Sequence, residues 1–139
     1  MMISPRALHE QALVIYRQLD DRAGAADASA QLGNLARRRE EFAIARALLT
    51  ESLAFYQERN DRVGNVLSLL GQVAEDERDH PAARACYRQT LSIARERGDL
   101  AGVLFLLQAL GRLAYLDGDM TAARALFTES LTMARVLGN

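Results

Sequence analysis

Two histidines and one cysteine are the residues of this 139-residue chain best suited to nucleophilic, metal-binding or proton-transfer chemistry near neutral pH. His9, His80 and Cys86 lack neighbouring partners at the spacing that a zinc site or a histidine relay requires. Arginines near Cys86 could lower its pKa, but leucines occupy the equivalent positions of the repeats described below, so we interpret Cys86 as a packed hydrophobic residue. With no glycine-rich phosphate loop or Ser/His/Asp set, the sequence predicts a protein that is not an enzyme and binds no cofactor or metal.

The overall charge is nearly balanced, with 17 basic and 18 acidic residues giving a formal net charge of −1. This balance gives no reason to expect nucleic acid or an anionic membrane as a partner. The single cysteine excludes an intrachain disulfide and fits a reducing compartment. No apolar run of about 18 residues is present, and the N-terminus lacks the apolar core of a signal peptide. We therefore expect a cytoplasmic protein.

The elements that must position any functional residue come from an internal repeat. The pattern Leu-Gly-x-Leu/Val-Ala occurs at 32–36, 70–74 and 110–114. An Ala-Arg pair begins 12 residues after each glycine (45 − 33 = 83 − 71 = 123 − 111), and a Ser/Thr-Leu pair follows at a second constant distance. Self-similarity at this period is typical of a stacked helical array.

Apolar residues at helical spacing, separated by short polar breaks, predict an all-α chain of seven helices. The predicted helices span about 6–19, 22–38, 41–59, 62–77, 81–97, 100–116 and 120–137. The first matches the second half of a repeat, so a single domain over 1–139 divides into an orphan second helix and three repeats. These segments are 6–21, 22–60, 61–98 and 99–137. The middle repeat is two residues shorter before its glycine, which predicts a shortened helix or a distorted joint at 62–64.

These residues and spacings resemble the tetratricopeptide repeat, a helix-turn-helix unit, and in particular its long variant of about 40 residues seen in large bacterial transcriptional regulators. The resemblance implies a right-handed helical-hairpin solenoid. The repeated glycines, Gly33, Gly71 and Gly111, then mark close helix packing, because a glycine inside a helix otherwise costs about 1 kcal/mol relative to alanine. The facing helices supply small residues (Ala45, Ala83, Ala123), large ones (Leu49, Tyr87, Phe127) and leucines that continue the buried stripe (Leu53, Leu91, Leu131).

The same resemblance implies a non-catalytic interaction scaffold whose first helices line a concave face that binds a peptide or protein partner. The inward positions expected to contact the partner are Asn34, Arg37, Gln72, Glu75, Phe105, Gln108, Arg112 and Tyr115. The family's carboxylate clamp is not expected here, because Ala30 stands where the lysine of that clamp should be.

The three arginines at 37–39 resemble a basic patch, but the equivalent positions one repeat later, 75–77, are all acidic. Opposite charges at equivalent positions of stacked repeats predict ion pairs between the repeats, each worth roughly 0–1 kcal/mol if exposed. We therefore do not expect the arginines to bind nucleic acid.

The segment 100–116 is apolar on nearly all sides of the predicted helix. Either neighbouring helices bury this surplus, or Phe105, Tyr115 and Leu116 form an exposed apolar patch for a partner. A helical array normally carries polar caps at its ends, yet this one begins with an orphan second helix and stops at the joint-like Gly138-Asn139. Two alternatives to partner binding therefore stay open: self-association, including a homodimer, and a ligand-sensing fragment of a larger bacterial transcriptional regulator.

Overall fold

The computed structural model describes residues 3–60 and 62–138, which form seven α-helices and contain no strand. The helices are α1 (Pro5–Gln18), α2 (Arg22–Arg38), α3 (Phe42–Arg59), α4 (Val63–Asp76), α5 (His80–Glu96), α6 (Leu100–Leu116) and α7 (Met120–Gly138). Their bounds lie within one residue of the predicted ones and confirm an all-α helical-hairpin solenoid. Met1, Met2, Asp61 and Asn139, which belong to the predicted domain division, lie outside the described residues.

Polar residues at the breaks fix the helix boundaries. The side chains of Asp21, Asp79, Asp99 and Asp119 each accept a hydrogen bond from the backbone N–H three residues ahead, at 2.9–3.2 Å. Each bond satisfies an N–H of a first helical turn that has no partner within its helix. Residues with positive φ lie in the turns, at Asp20, Glu40, Asn60, Arg62, Arg78, Gly98 and Gly118. The left-handed conformation after a helix reverses the chain into the next one.

Each hairpin closes at its repeated glycine. A Cβ atom built on any of the three glycines would overlap a side chain of the second helix, so only glycine permits this approach. The overlapping atoms would be Leu49 Cγ at 2.7 Å from Gly33, Tyr87 Cε1 at 2.6 Å from Gly71 and Phe127 Cε1 at 2.8 Å from Gly111. The predicted packing role of the three glycines is confirmed.

The apolar helix α6 is buried on most of its circumference but not all of it. Eight of its residues are buried, and most of them join Tyr87 and Leu91 of α5 in one core cluster. Phe105, Tyr115 and Leu116 remain 50%, 58% and 58% exposed. Both explanations of its apolar surplus therefore hold in part. Neither α6 nor any other described helix is long and apolar enough to cross a membrane.

The prediction of a buried stripe is wrong for α7. Phe127 is 42% exposed and Leu131 is 53% exposed, whereas the equivalent Tyr87 and Leu91 of α5 are 1% and 8% exposed. The physical reason is the absence of a covering helix: α6 packs over α5, but no helix of the described residues packs over the far side of α7.

The shortened middle repeat is absorbed where its sequence predicts. Helix α4 has 14 residues, whereas α2 and α6 each have 17. Its N-cap, Arg62, adopts φ 53° and ψ 14° and provides no side-chain cap. A left-handed arginine is uncommon, so the missing two residues are accommodated by a strained joint rather than by a shift of the helix.

Candidate functional site

Ion pairs between neighbouring first helices organise one surface of the array, which we call the inner face. Its solvent-facing side chains on α2, α4 and α6 are Asp27, Asn34, Arg37, Asn65, Ser68, Gln72, Glu75, Asp76, Phe105, Gln108 and Arg112. Arg37 Nη1 lies 3.3 Å from an Asp76 carboxylate oxygen. Arg112 Nη2 donates to both carboxylate oxygens of Glu75, at 2.6 and 2.9 Å.

These pairs bear on the prediction that the arginines at 37–39 pair with the acidic residues at 75–77. The prediction is confirmed for Arg37. Glu77 instead pairs with Arg46 of α3 at 3.2 Å. Arg38 and Arg39 make no ion pair within the described part of the chain. The acidic residues at 75–77 thus bind arginines from three different helices and hold consecutive repeats in register.

Glu75 also connects the inner face to the core. Burial raises the pKa of the Tyr87 hydroxyl, and the neighbouring Glu75 carboxylate raises it further, because a negative charge disfavours the phenolate. Tyr87 therefore stays protonated and neutral beneath the Arg112–Glu75 pair. The same tyrosine ring fills the notch at Gly71. This portion of the inner face is consequently held by both packing and charge.

The amide side chains of the inner face are less engaged than its charged groups. The Asn34 Oδ1 atom accepts from Arg37 Nη2 at 3.2 Å, which leaves the Asn34 amide group free to donate. Gln72 and Gln108 make no hydrogen bond within residues 3–60 and 62–138. An amide offers both donors and an acceptor. The inner face can therefore pair with another polypeptide backbone without breaking its own ion pairs.

A cleft between α4 and α6 interrupts the polar surface. Asn65 and Ser68 lie on its α4 side, Phe105 and Leu106 on its α6 side, and Ile93 of α5 contributes to its lining. The cleft encloses about 200 Å³, and Phe105 offers a half-exposed ring at its edge. A space of this kind can accept one apolar side chain beside polar groups that bind the adjacent backbone.

The structure divides the eight predicted contact residues into three groups. Asn34, Arg37, Gln72, Glu75 and Arg112 belong to the half-buried or paired polar part of the inner face. Phe105 lies in the α4–α6 cleft. Gln108 and Tyr115 border grooves over α7, so these two face the end of the array as much as its inner face.

Sequence reasoning missed one histidine contact and judged the cysteine correctly. His80 Nδ1 lies 3.0 Å from Asp117 Oδ1, and Arg84 binds the other oxygen of that carboxylate. The two partners are more than 30 residues apart, so only the stacking of repeats reveals the contact. Burial raises the pKa of the Cys86 thiol, which is opposite to the shift that activates a nucleophile.

Tandem helical hairpins that present an extended polar face, rather than an enclosed pocket, define a helical-repeat solenoid of the interaction class. The chain belongs to the tetratricopeptide repeat family, because the family model described as Tetratricopeptide repeat matches residues 62–135, more than half of the 139-residue chain. Such repeats generally mediate protein–protein interactions, and the fold is typically that of a non-enzymatic scaffold.

A solved structure supports the fold independently. The crystal structure of BtubC (BKLC) from P. vanneervenii is similar to this chain with a TM-score of 0.90 at 20% sequence identity. The similarity covers 96% of this chain and 57% of BtubC, so the chain spans little more than half of that protein's length. The comparison with curated proteins gives no significant match.

Proposed function

We propose that this chain is a non-catalytic scaffold that binds an extended peptide segment of a partner protein along its inner face. One observation carries the proposal. The charged side chains of the inner face bind one another across the repeats, while the amides of Gln72 and Gln108 and the ring of Phe105 have no such engagement. A partner can therefore use these groups at no cost to the internal ion pairs.

The chemistry of the available groups suits a peptide backbone. An extended peptide carries unpaired N–H and C=O groups on both edges, and amide side chains can satisfy either kind. Phe105 adds a large apolar contact next to a cleft of side-chain size. Aromatic residues commonly contribute most of the free energy at protein interfaces. The peptide would thus be oriented by Asn34, Gln72 and Gln108 and anchored at Phe105.

The alternative functions receive less support. The α4–α6 cleft encloses about 200 Å³, and small-molecule sites usually enclose about 300 Å³ or more, so ligand sensing as part of a long-repeat bacterial transcriptional regulator ranks second. Self-association as a homodimer remains the other candidate, and it is separated from peptide binding by measuring the mass of the free protein. We assign the protein to the cytoplasm on its lone Cys86, whose burial fits a reduced thiol.

The test uses a library of displayed random peptides selected against the full chain. A selected peptide should lose about ten-fold or more in affinity upon Phe105→Asp, because a buried aromatic contact is replaced by a charge. Gln72→Ala should lose about three-fold to ten-fold, as expected for one or two hydrogen bonds at about 1 kcal/mol each. Binding is measured by fluorescence anisotropy.

Gln89→Ala is the matched control, because Gln89 is an exposed glutamine on α5 that has no part in the inner face. Its affinity for the selected peptide should equal that of the unmodified protein. Equal losses for Gln72→Ala and Gln89→Ala, or unchanged binding by Phe105→Asp, would exclude the inner face as the binding surface.

A further inference from the structure

The far side of α7 has the composition of an internal joint of the array but lacks its cover. We call this surface the end face; it consists of Met120, Ala123, Arg124, Phe127, Leu131 and Ala134, with Tyr115 at its edge. Two open grooves share Phe127 and Leu131. The equivalent surface of α5 is covered by α6, and that of α3 is covered by α4. The internal joints therefore show which kind of element fits the end face.

A series of arginines gives the same answer from charge. Near the start of each second helix, an arginine binds a carboxylate at or just beyond the C-terminal end of the next first helix. The pairs are Arg6 with Glu41, Arg46 with Glu77 and Arg84 with Asp117. Arg124 occupies the next equivalent position (46 − 33 = 84 − 71 = 124 − 111), is exposed, and makes no ion pair within the described residues.

We propose that the end face binds one amphipathic helix of a partner polypeptide, which packs on Phe127 and Leu131 and places a carboxylate near its C-terminal end on Arg124. The helix would run antiparallel to α7, because Arg84 at the start of α5 binds the C-terminal end of α6 in that orientation. This surface is separate from the part of the inner face that carries the proposed function.

The degree of exposure argues for a helix rather than an extended segment. In the internal joints the positions equivalent to Phe127 are reduced to 1% exposure for Tyr87 and 0% for Leu49, and a helix accomplishes this in both cases. A helix presents apolar residues on one stripe at the spacing needed to cover Phe127 and Leu131 together.

A second copy of this chain is a poorer occupant than a separate helix. The surface complementary to the end face is that of a first helix, and the first helices of the described array, α2, α4 and α6, are each already packed between two second helices. A second molecule would therefore have to release one of them before offering it.

The experiment uses the full chain and a synthetic helix that already solves this packing problem. The probe is a fluorescent peptide of residues 62–79, which contains α4 and Glu77, stapled on its solvent-facing side to offset the low helicity of short peptides. It should bind the unmodified protein at low salt. Leu131→Glu should weaken binding at least ten-fold, because an acidic group replaces an apolar contact.

The ion pair is tested by charge reversal. Arg124→Glu should weaken binding about five-fold, and a peptide carrying Glu77→Lys should restore it, which a merely structural role of Arg124 would not produce. Arg88→Glu is the matched control, because Arg88 is an exposed arginine of α5 without an ion pair in the described residues. Circular dichroism verifies that each variant is folded.

Failure of the peptide to bind at concentrations up to about 1 mM would overturn the proposal. Binding that is indifferent to both Leu131→Glu and Arg124→Glu would also overturn it. Light scattering supplies the remaining outcome: a dimer that dissociates upon Leu131→Glu would assign the end face to a second copy of the chain instead.

Discussion

Replacement of Tyr87 by alanine should lower the free energy of unfolding by about 3–5 kcal/mol, the range found when a fully buried aromatic side chain is removed. Tyr87 is 1% exposed, fills the notch at Gly71, and contributes to the core cluster shared by α5 and α6. Its loss leaves a cavity at the joint between two repeats, where the neighbouring helices cannot collapse freely. Urea unfolding monitored by circular dichroism gives the midpoint and the slope from which the change is obtained.

Phe127→Ala provides the matched comparison at the equivalent position of the next repeat. Phe127 also packs over a glycine, Gly111, but is 42% exposed. Its removal opens a groove that water already reaches, so the expected loss is about 1 kcal/mol, part of the 1.5–3 kcal/mol for a fully buried side chain. Equal losses for the two variants would show that the end face is covered in solution or that the repeats are not equivalent.

Gly71→Ala is expected to destabilise the protein, although alanine favours the helix by about 1 kcal/mol over glycine. The new Cβ would lie 2.6 Å from Tyr87 Cε1 and 2.9 Å from Cδ1. Because Tyr87 is enclosed, the hairpin must open to remove the overlap. Such overpacking typically costs about 1–3 kcal/mol, which equals or exceeds the gain in helix propensity. Thermal unfolding measures the net effect.

Two other glycines serve as controls for this substitution. Gly111→Ala produces a similar overlap with Phe127, at 2.8 Å, but the half-exposed ring can move toward solvent. Gly64→Ala meets nothing closer than Ile93 Cγ2 at 3.7 Å. We expect both variants to be at least as stable as the unmodified protein, to within about 0.5 kcal/mol. A more stable Gly71→Ala variant would contradict the close-packing role of the repeated glycine.

Periodicity predicts the fold because each repeat restates the same local physics. The glycine, the small residue and the large residue recur at constant distances, so one hairpin defines the others. Even the irregularity is legible: two missing residues predict the joint at 62–64, where Arg62 takes a left-handed conformation. The pairing of Arg37 with Asp76 follows from the reversal of charge between repeats.

The surface is less predictable because it depends on which neighbours a position has. The equivalence of Leu131 with Leu91 suggests burial, but burial also requires a covering helix, and the pattern within a repeat does not contain one. The contact of His80 with Asp117 depends in the same way on stacking. The inner face itself could be predicted from the family resemblance, whereas the grouping of its residues required the structure.

The most direct test of the central claim is the location of a bound peptide on the folded chain. In a two-dimensional amide NMR titration with a selected peptide, we expect the largest shifts on the inner face, at Asn34, Gln72, Phe105 and Gln108. Residues of α7 such as Leu131 should be unchanged. Shifts confined to α7, or spread over α3 and α5 without the inner face, would contradict peptide binding along α2, α4 and α6.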